Sequence, residues 1–340
     1  MVIDERKQLL IEWLTGIFST SQFSCEPASS DASFRRYFRV QFMGQSFVVM
    51  DAPPSHEDCT SFLDVASILS NNGINAPVIF HQSLEKGFLV LSDFGSESFL
   101  NKLSDLTADQ LYDDAVQVLH AMHEISLIDI SIPRYDLNLL LREMELFEDW
   151  FVNKLLGVDL SDEDKNALHG VKEQLAQSAI EQPQVFVHRD YHSRNLMVTK
   201  NNNPGIIDFQ DAVVGPMTYD LVSLYRDCYI AWPDAKVYAW LDQFCQQRQQ
   251  RGVLDNFDKA QFHQWFDWMG VQRHLKAIGI FSRLLLRDSK EGYLNDIPRT
   301  LTYVTAVCAR YEKLKPLAKL IEKHQLMAKF EALQLEQASL

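Results

Sequence analysis

The 340-residue sequence is short of positive charge, of glycine and of cysteine. Lysine and arginine number 32 against 46 aspartates and glutamates, a formal charge of −14 at pH 7. That deficit excludes nucleic acid or an anionic membrane surface as the main partner, because both demand a basic footprint. No apolar run approaches the roughly 20 residues that a membrane span needs. The first residues, Met1-Val-Ile-Asp-Glu-Arg-Lys7, mix acids with bases and lead into an amphipathic stretch broken by Glu12, so no export signal is expected. The five cysteines (Cys25, Cys59, Cys228, Cys245, Cys308) are odd in number and scattered, so they build neither a C-x-x-C metal knuckle nor a disulfide framework. A reducing compartment, the cytoplasm, is the expectation. No glycine falls between Gly16 and Gly44 and no lysine between Lys7 and Lys86. The N-terminal strands therefore contain no G-x-G-x-x-G loop and no ammonium group.

What is present is ordinary globular material: 46% hydrophobic and 23% charged residues, at a length that suits about two domains. Residues 20–92 read as strands around one helix. Phe34–Phe42 and Phe47–Met50 flank Gly44 as a hairpin, and Val78–Phe80 and Gly87–Leu91 make two more strands. Cys59, Phe62, Leu63, Ala66 and Leu69 share a helical face, predicting a helix over Ser55–Gly73. From about Phe94 helices dominate, with a capping-box pattern at Thr107–Gln110 and long helical segments at 140–180, 235–250, 259–287 and 299–337. The fold class that follows is α+β in two lobes, a small β-rich one over 1–92 and a larger, mostly helical one over 93–340.

One strand-rich island interrupts the helices. It reads Val185-Phe-Val-His-Arg-Asp-Tyr-His-Ser-Arg-Asn-Leu-Met-Val198, a turn at Asn201–Gly205, then Gly205-Ile-Ile-Asp-Phe-Gln210. A hairpin brings its two base residues together, so Asn195 and Asp208 are expected side by side, with Asp190 on the loop before them. Two carboxylates and an amide on one hairpin base need a cation or hydrogen bonds in compensation. Phosphoryl transfer uses such a trio: one carboxylate and one amide oxygen for Mg²⁺, and a second carboxylate to orient the acceptor hydroxyl and take its proton.

The spacing His188-Arg-Asp190-x4-Asn195, followed by Ile206-Ile-Asp208-Phe-Gln, resembles the protein-kinase-like superfamily and, within it, the aminoglycoside/choline phosphotransferase branch. The resemblance covers nearly the whole chain and implies ATP and Mg²⁺ as cofactors, a bilobal protein-kinase-like fold, Asp190 as catalytic base, and Asn195 and Asp208 as metal ligands. It also implies that Asp220, in Gly215-Pro-Met-Thr-Tyr-Asp-Leu-Val-Ser-Leu224, buttresses the catalytic loop, where His188 packs rather than reacts. Adenine is expected on the hinge backbone of Leu91, Ser92 and Asp93. The serines Ser29, Ser30 and Ser33 are expected to cradle phosphate where a Gly-rich loop is missing. Arg35, Arg36 and Arg39 are candidates to replace the missing strand lysine, with Arg36 or Arg39 favoured.

Only Phe209–Tyr219 separates Asp208 from the next helix signal, which leaves little room for a peptide platform and favours a small-molecule acceptor. Residues 221–300 carry eleven bases against nine acids, +2 inside a chain of −14, the wrong sign for a polycationic aminoglycoside. The strings Ser29–Arg39, Met50–Pro54, Tyr225–Pro233 and Gln272–Arg283 resemble the bacterial N-acetylmuramate/N-acetylglucosamine anomeric kinases of cell-wall recycling. That resemblance implies a sugar acceptor phosphorylated at C1, with Arg226, Asp227, Arg273, His274 and Lys276 as pocket candidates. No obligate protein partner is expected. Trp232, Trp265 and Trp268 are read as core. Two alternatives stand beside this reading: a choline/ethanolamine or aminoglycoside kinase, and a binding module without catalysis, which the missing lysine favours and the intact aspartate/asparagine set opposes.

Overall fold

Met43 and Gly44 both have positive φ, 48° and 76°, the conformation that a two-residue hairpin turn requires. They join β2 (Arg36–Phe42) to β3 (Gln45–Asp51), as the apolar runs on either side of Gly44 predict. The structure, a computed structural model, describes residues 4–30, 35–252 and 258–338. The chain divides into two compact units: one is the N-terminal segment through Lys102 together with Asn195–Asp211, the other is Leu103–Arg194 together with Ala212 onward.

In the first unit β1 (Ser24–Ser30), β2, β3, β4 (Ile79–Ser83) and β5 (Phe88–Ser92) form an antiparallel sheet in the order β1-β2-β3-β5-β4. Helix α1 (Glu5–Phe18) starts at Asp4, whose carboxylate accepts the Lys7 N–H at 3.0 Å. Its Leu10 and Leu14 pack onto Phe38, Val40, Val49, Phe88 and Val90, each such side chain contributing about 1.5–3 kcal/mol on burial. Strand alternation fixes the rest: Arg36 and Asp51 fall on the face that α1 covers, and Tyr37, Arg39, Val48 and Met50 fall on the other. Helix α2 (Thr60–Asn71) begins five residues later than the periodicity suggests. Pro53 starts a turn that takes in Glu57, and Asp58 accepts the Thr60 N–H at 2.8 Å.

The short helix α3 (Phe99–Lys102) precedes the second unit. The hairpin of β7 (Leu196–Met197) and β8 (Gly205–Ile206) belongs to the first unit by its contacts: Ile206 donates to the Asn75 carbonyl at 2.8 Å and Val198 to that of Glu97 at 2.8 Å. Gly205 is required there, since a Cβ would lie 2.7 Å from the Phe94 ring.

The second unit is mostly helical. Helix α4 (Ala108–His123) is followed by α5 (Leu137–Leu146), which continues as a π-helical stretch over Phe147–Leu155, and by α6 (Asp162–Ile180). A two-stranded ribbon pairs β6 (Gln184–Val187) with β9 (Val213–Pro216). Then come α7 (Tyr219–Tyr225), α8 (Asp234–Gln250), the 30-residue α9 (Lys259–Asp288), α10 (Ile297–Arg310), α11 (Lys315–Lys323) and α12 (Leu326–Ala338). Helix α9 runs through the middle, packed on α5, α6, α7 and α10; Gly279 lets it approach Leu146 so closely that a Cβ would sit 2.4 Å from that residue's backbone carbon. The expected capping box at Thr107 does not form: Thr107 makes no side-chain cap, and its hydroxyl instead accepts the Ser104 N–H at 2.9 Å. Trp268 is core, as read from the sequence, while Trp232 and Trp265 are only partly buried. Among the described residues no helix is long and apolar enough to cross a membrane.

Candidate active site

Strand β6 ends at Val187 and delivers His188-Arg189-Asp190 into a loop of the second unit. Asp220, in the first turn of α7, accepts the backbone N–H of His188 at 2.7 Å and of Arg189 at 3.0 Å. These bonds offset the left-handed backbone of Arg189 (φ 74°), which costs a non-glycine residue about 1–2 kcal/mol. Burial pushes the Asp220 carboxyl up, to about 7, and the two donors oppose it. His188 is fully buried, and its Nδ1 accepts the Asp190 N–H at 3.2 Å, so it shapes the loop. The Asp190 carboxyl is pushed up by burial, but Lys276, His192, Arg273 and Arg189 outweigh that and hold it below the usual aspartate value. The loop therefore presents an ionised carboxylate framed by cations.

Those cations are themselves held. Glu143 on α5 is buried and pairs with Arg189 and, at 3.3 Å, with Lys276; Tyr135 Oη donates to its other oxygen. Lys276 Nζ also donates to Tyr219 Oη at 3.2 Å. No motif marks Glu143, one of two glutamates inside Leu-Arg-Glu-Met-Glu-Leu. Arg273 is buried with Nη1 3.7 Å from Cys228 Sγ, and both Asp190 and Asp227 act on its charge. Asp227 accepts the N–H and hydroxyl of Ser193 through Oδ2, and the Tyr229 N–H at 2.9 Å through Oδ1. Arg226 and His274 sit differently. Arg226 pairs with buried Asp267 at 3.1 Å, and His274 Nε2 meets the Arg226 carbonyl at 2.9 Å with its ring stacked on Tyr303. Of the five acceptor-pocket candidates, Arg273 and Lys276 are the two whose charge bears on Asp190.

In the first unit the hairpin base joins Asn195 to Asp208 as its topology requires. Asn195 Nδ2 donates to Asp208 Oδ2 at 3.2 Å, Gln210 Nε2 donates to Oδ1 at 2.8 Å, and the Ile207 N–H meets the Asn195 carbonyl at 3.1 Å. Asp208 is left-handed (φ 64°), a conformation that aspartate tolerates better than most residues. Phe209 turns away and packs its ring on Phe62, centroids 4.8 Å apart. One carboxylate and one amide oxygen are hard donors of the kind magnesium takes with its waters. Among the described residues no group of three or more His, Cys, Asp or Glu gathers that could hold a metal ion, so the protein's share of this site is the Asp208–Asn195 pair. The donor set fits magnesium.

Several nucleotide candidates have structural partners. Arg36 binds Asp51 at 2.6 Å and Asp4 at 2.6 Å, and Arg6 joins the same fully buried Asp51. Arg39 binds Asp93 at 2.7 Å and the Gly95 carbonyl at 2.8 Å. Ser92 exchanges bonds with Val78, and Leu91 lies in β5 opposite Val48. Ser33 lies outside the described residues, as do the side chains of Ser29 and Ser30.

Residues 24–266 match the model of the phosphotransferase enzyme family. The chain is 43% identical over 336 residues to the N-acetylmuramate/N-acetylglucosamine kinase of Pseudomonas putida, covering 96% of this chain and 98% of that one. It is 45% identical over 295 residues to the kinase of the same name from Pseudomonas aeruginosa, covering 87% of each. Among solved structures, the ethanolamine kinase of Plasmodium vivax matches with a TM-score of 0.63 at 14% identity, over 88% of this chain and 87% of that one. The sheet of the first unit and the helices of the second are thus those of a kinase-like fold.

Proposed function

The chain belongs to the phosphotransferase enzyme family, and on that premise we propose that it moves the γ-phosphoryl group of ATP to the anomeric C1 hydroxyl of N-acetylmuramate or N-acetylglucosamine. The likeness to the two Pseudomonas kinases over most of each chain carries the choice of acceptor. The product, a sugar 1-phosphate, suits nucleotide-sugar synthesis in cell-wall recycling, and the enzyme works in the cytoplasm, where ATP is supplied.

Asp190 orients the C1 hydroxyl and takes its proton as the new P–O bond forms and the bond to the ADP oxygen breaks. An anomeric hydroxyl is more acidic than an ordinary alcohol, so a carboxylate held ionised by Lys276, Arg273 and Arg189 is basic enough. Asp220 and His188 keep the loop in shape. Asp208 and Asn195 would hold a magnesium ion, which would supply charge neutralisation at the nucleotide phosphates. Ser29, Ser30 and Ser33 and the backbone of Leu91, Ser92 and Asp93 receive the nucleotide. Arg273 and Lys276 favour an acceptor with an anionic arm, and a guanidinium fork suits the lactyl carboxylate of N-acetylmuramate. Asp227 hydrogen-bonds sugar hydroxyls, while Arg226 and His274 shape the wall behind Arg273.

A substrate panel tests this reading. ATP consumption is followed with N-acetylmuramate, N-acetylglucosamine, choline, ethanolamine and an aminoglycoside. Turnover confined to the amino sugars is expected; preference for choline, ethanolamine or the aminoglycoside, or no turnover at all, contradicts it.

A further inference from the structure

Strand β3 ends Val48-Val-Met-Asp51, with no lysine, and Arg36 and Arg39 are engaged by carboxylates of their own. A third arginine stands elsewhere. Arg35 precedes β2, and by alternation it falls with Tyr37 and Arg39 on the face away from α1. Its Nη2 lies 2.9 Å from Glu57 Oε2, and the two side chains are only 12% and 16% exposed. A surface pair of that length is worth little, but this one is shielded from water and is held in place.

Glu57 leads into α2, whose Phe62 packs on Phe209 beside Asp208. Burial pushes the Arg35 guanidinium down, and Tyr37, Glu57, Asp211 and Asp208 outweigh it, Asp208 contributing least of the four. Adjacent residues are thus divided by the pleat: Arg36 closes the helix-covered face on Asp51, and Arg35 serves the other. A guanidinium presents its N–H donors in a planar fork, a geometry that suits phosphate.

We propose that Arg35, positioned by Glu57, is the cation with which the N-terminal unit grips the phosphates of ATP, in place of a strand lysine. The proposal rests on the ATP-dependent reading above and assigns a residue within it. In protein kinases a strand lysine pairs with a helix glutamate at the phosphate site; here the base enters from the start of β2 rather than from β3.

Calorimetric titration of the full-length enzyme with Mg-ATP and with adenosine tests it. Loss of one charge-assisted contact predicts that Arg35→Gln weakens Mg-ATP binding about 10- to 100-fold and leaves adenosine binding unchanged. Arg35→Lys restores part of the loss, and Glu57→Gln shows a smaller one. The KM for ATP rises in R35Q, while the KM for the sugar does not. An unchanged ratio of Mg-ATP to adenosine affinity in R35Q overturns the proposal, as does a loss of that size in R36Q or R39Q instead. If R35Q does not fold, phenylglyoxal labelling of the wild-type enzyme decides: Mg-ATP is expected to protect Arg35, and labelling unaffected by Mg-ATP overturns the assignment. Because the titrations omit the sugar, a failed acceptor panel and a failed Arg35 assignment are read independently.

Discussion

Asp220 Oδ2 accepts the backbone N–H of His188 at 2.7 Å, joining residues 32 positions apart inside a fully buried environment. With the Arg189 N–H on its other oxygen, this carboxylate fixes the loop that carries Asp190. Asp220→Ala leaves two buried donors without their acceptor, at about 1–3 kcal/mol each. Urea unfolding should show that loss, and Asp220→Asn, which keeps one carbonyl acceptor, should lose less. Equal stability of the two variants would contradict the role.

Glu143 holds Arg189, Lys276 and Tyr135 from within the second unit. Removing one partner of a buried charge cluster costs about 3–5 kcal/mol, because the remaining charges stay desolvated. Glu143→Ala is therefore expected to lose stability on that scale and to depress kcat by moving the cations that frame Asp190. A variant as stable and active as the wild type would sink the assignment.

The buried histidines predict how stability varies with pH. Burial pushes His120 down to about 4, and His123 and His274 down to about 3. Unfolded histidine binds a proton below about pH 6.5, whereas these three stay neutral in the fold. Their contribution is complete above that pH and is lost as pH falls, by roughly 1.4 kcal/mol per unit for each histidine. Asp220 works in the opposite sense, since its raised carboxyl keeps a proton in the fold that the unfolded chain has released, and it offsets one of the three. Denaturant titrations between about pH 7 and 5 should show falling stability, and His274→Phe should flatten the slope. A slope that H274F leaves untouched would remove His274 from this account.

Asp208→Asn keeps the hairpin bond geometry but removes the charge from the metal pair. It is expected to abolish magnesium-dependent tightening of ATP binding and to reduce kcat by about a hundredfold or more, the scale on which transition-state charge stabilisation is lost. Chelation of divalent cations should stop the wild-type enzyme. Turnover that survives both treatments would rule out the assigned ion site.

The parts of this molecule that were legible in the sequence are the local ones. Asn195 and Asp208 meet because a hairpin joins them, and a pattern of 14 residues contains that hairpin. The strands around Gly44 and the long helices follow from period and turn chemistry. The illegible parts join residues far apart in the chain. Arg6 reaches Asp51 across 45 positions, Arg189 reaches Glu143 across 46, and Gln272 reaches Tyr135 across 137. No spacing rule marks such pairs. Thr107 illustrates the opposite failure, a local pattern that was present but unused because its hydroxyl bonded back to Ser104.

Phosphorus NMR of the complete reaction, with ATP, magnesium and N-acetylmuramate, tests the central claim most directly. The expected result is ADP together with a new phosphomonoester split by the anomeric proton, present with the wild-type enzyme and missing with Asp190→Asn. Phosphate on another oxygen, release of inorganic phosphate alone, or undiminished product from D190N would contradict the assignment of Asp190 as the base that delivers the C1 hydroxyl.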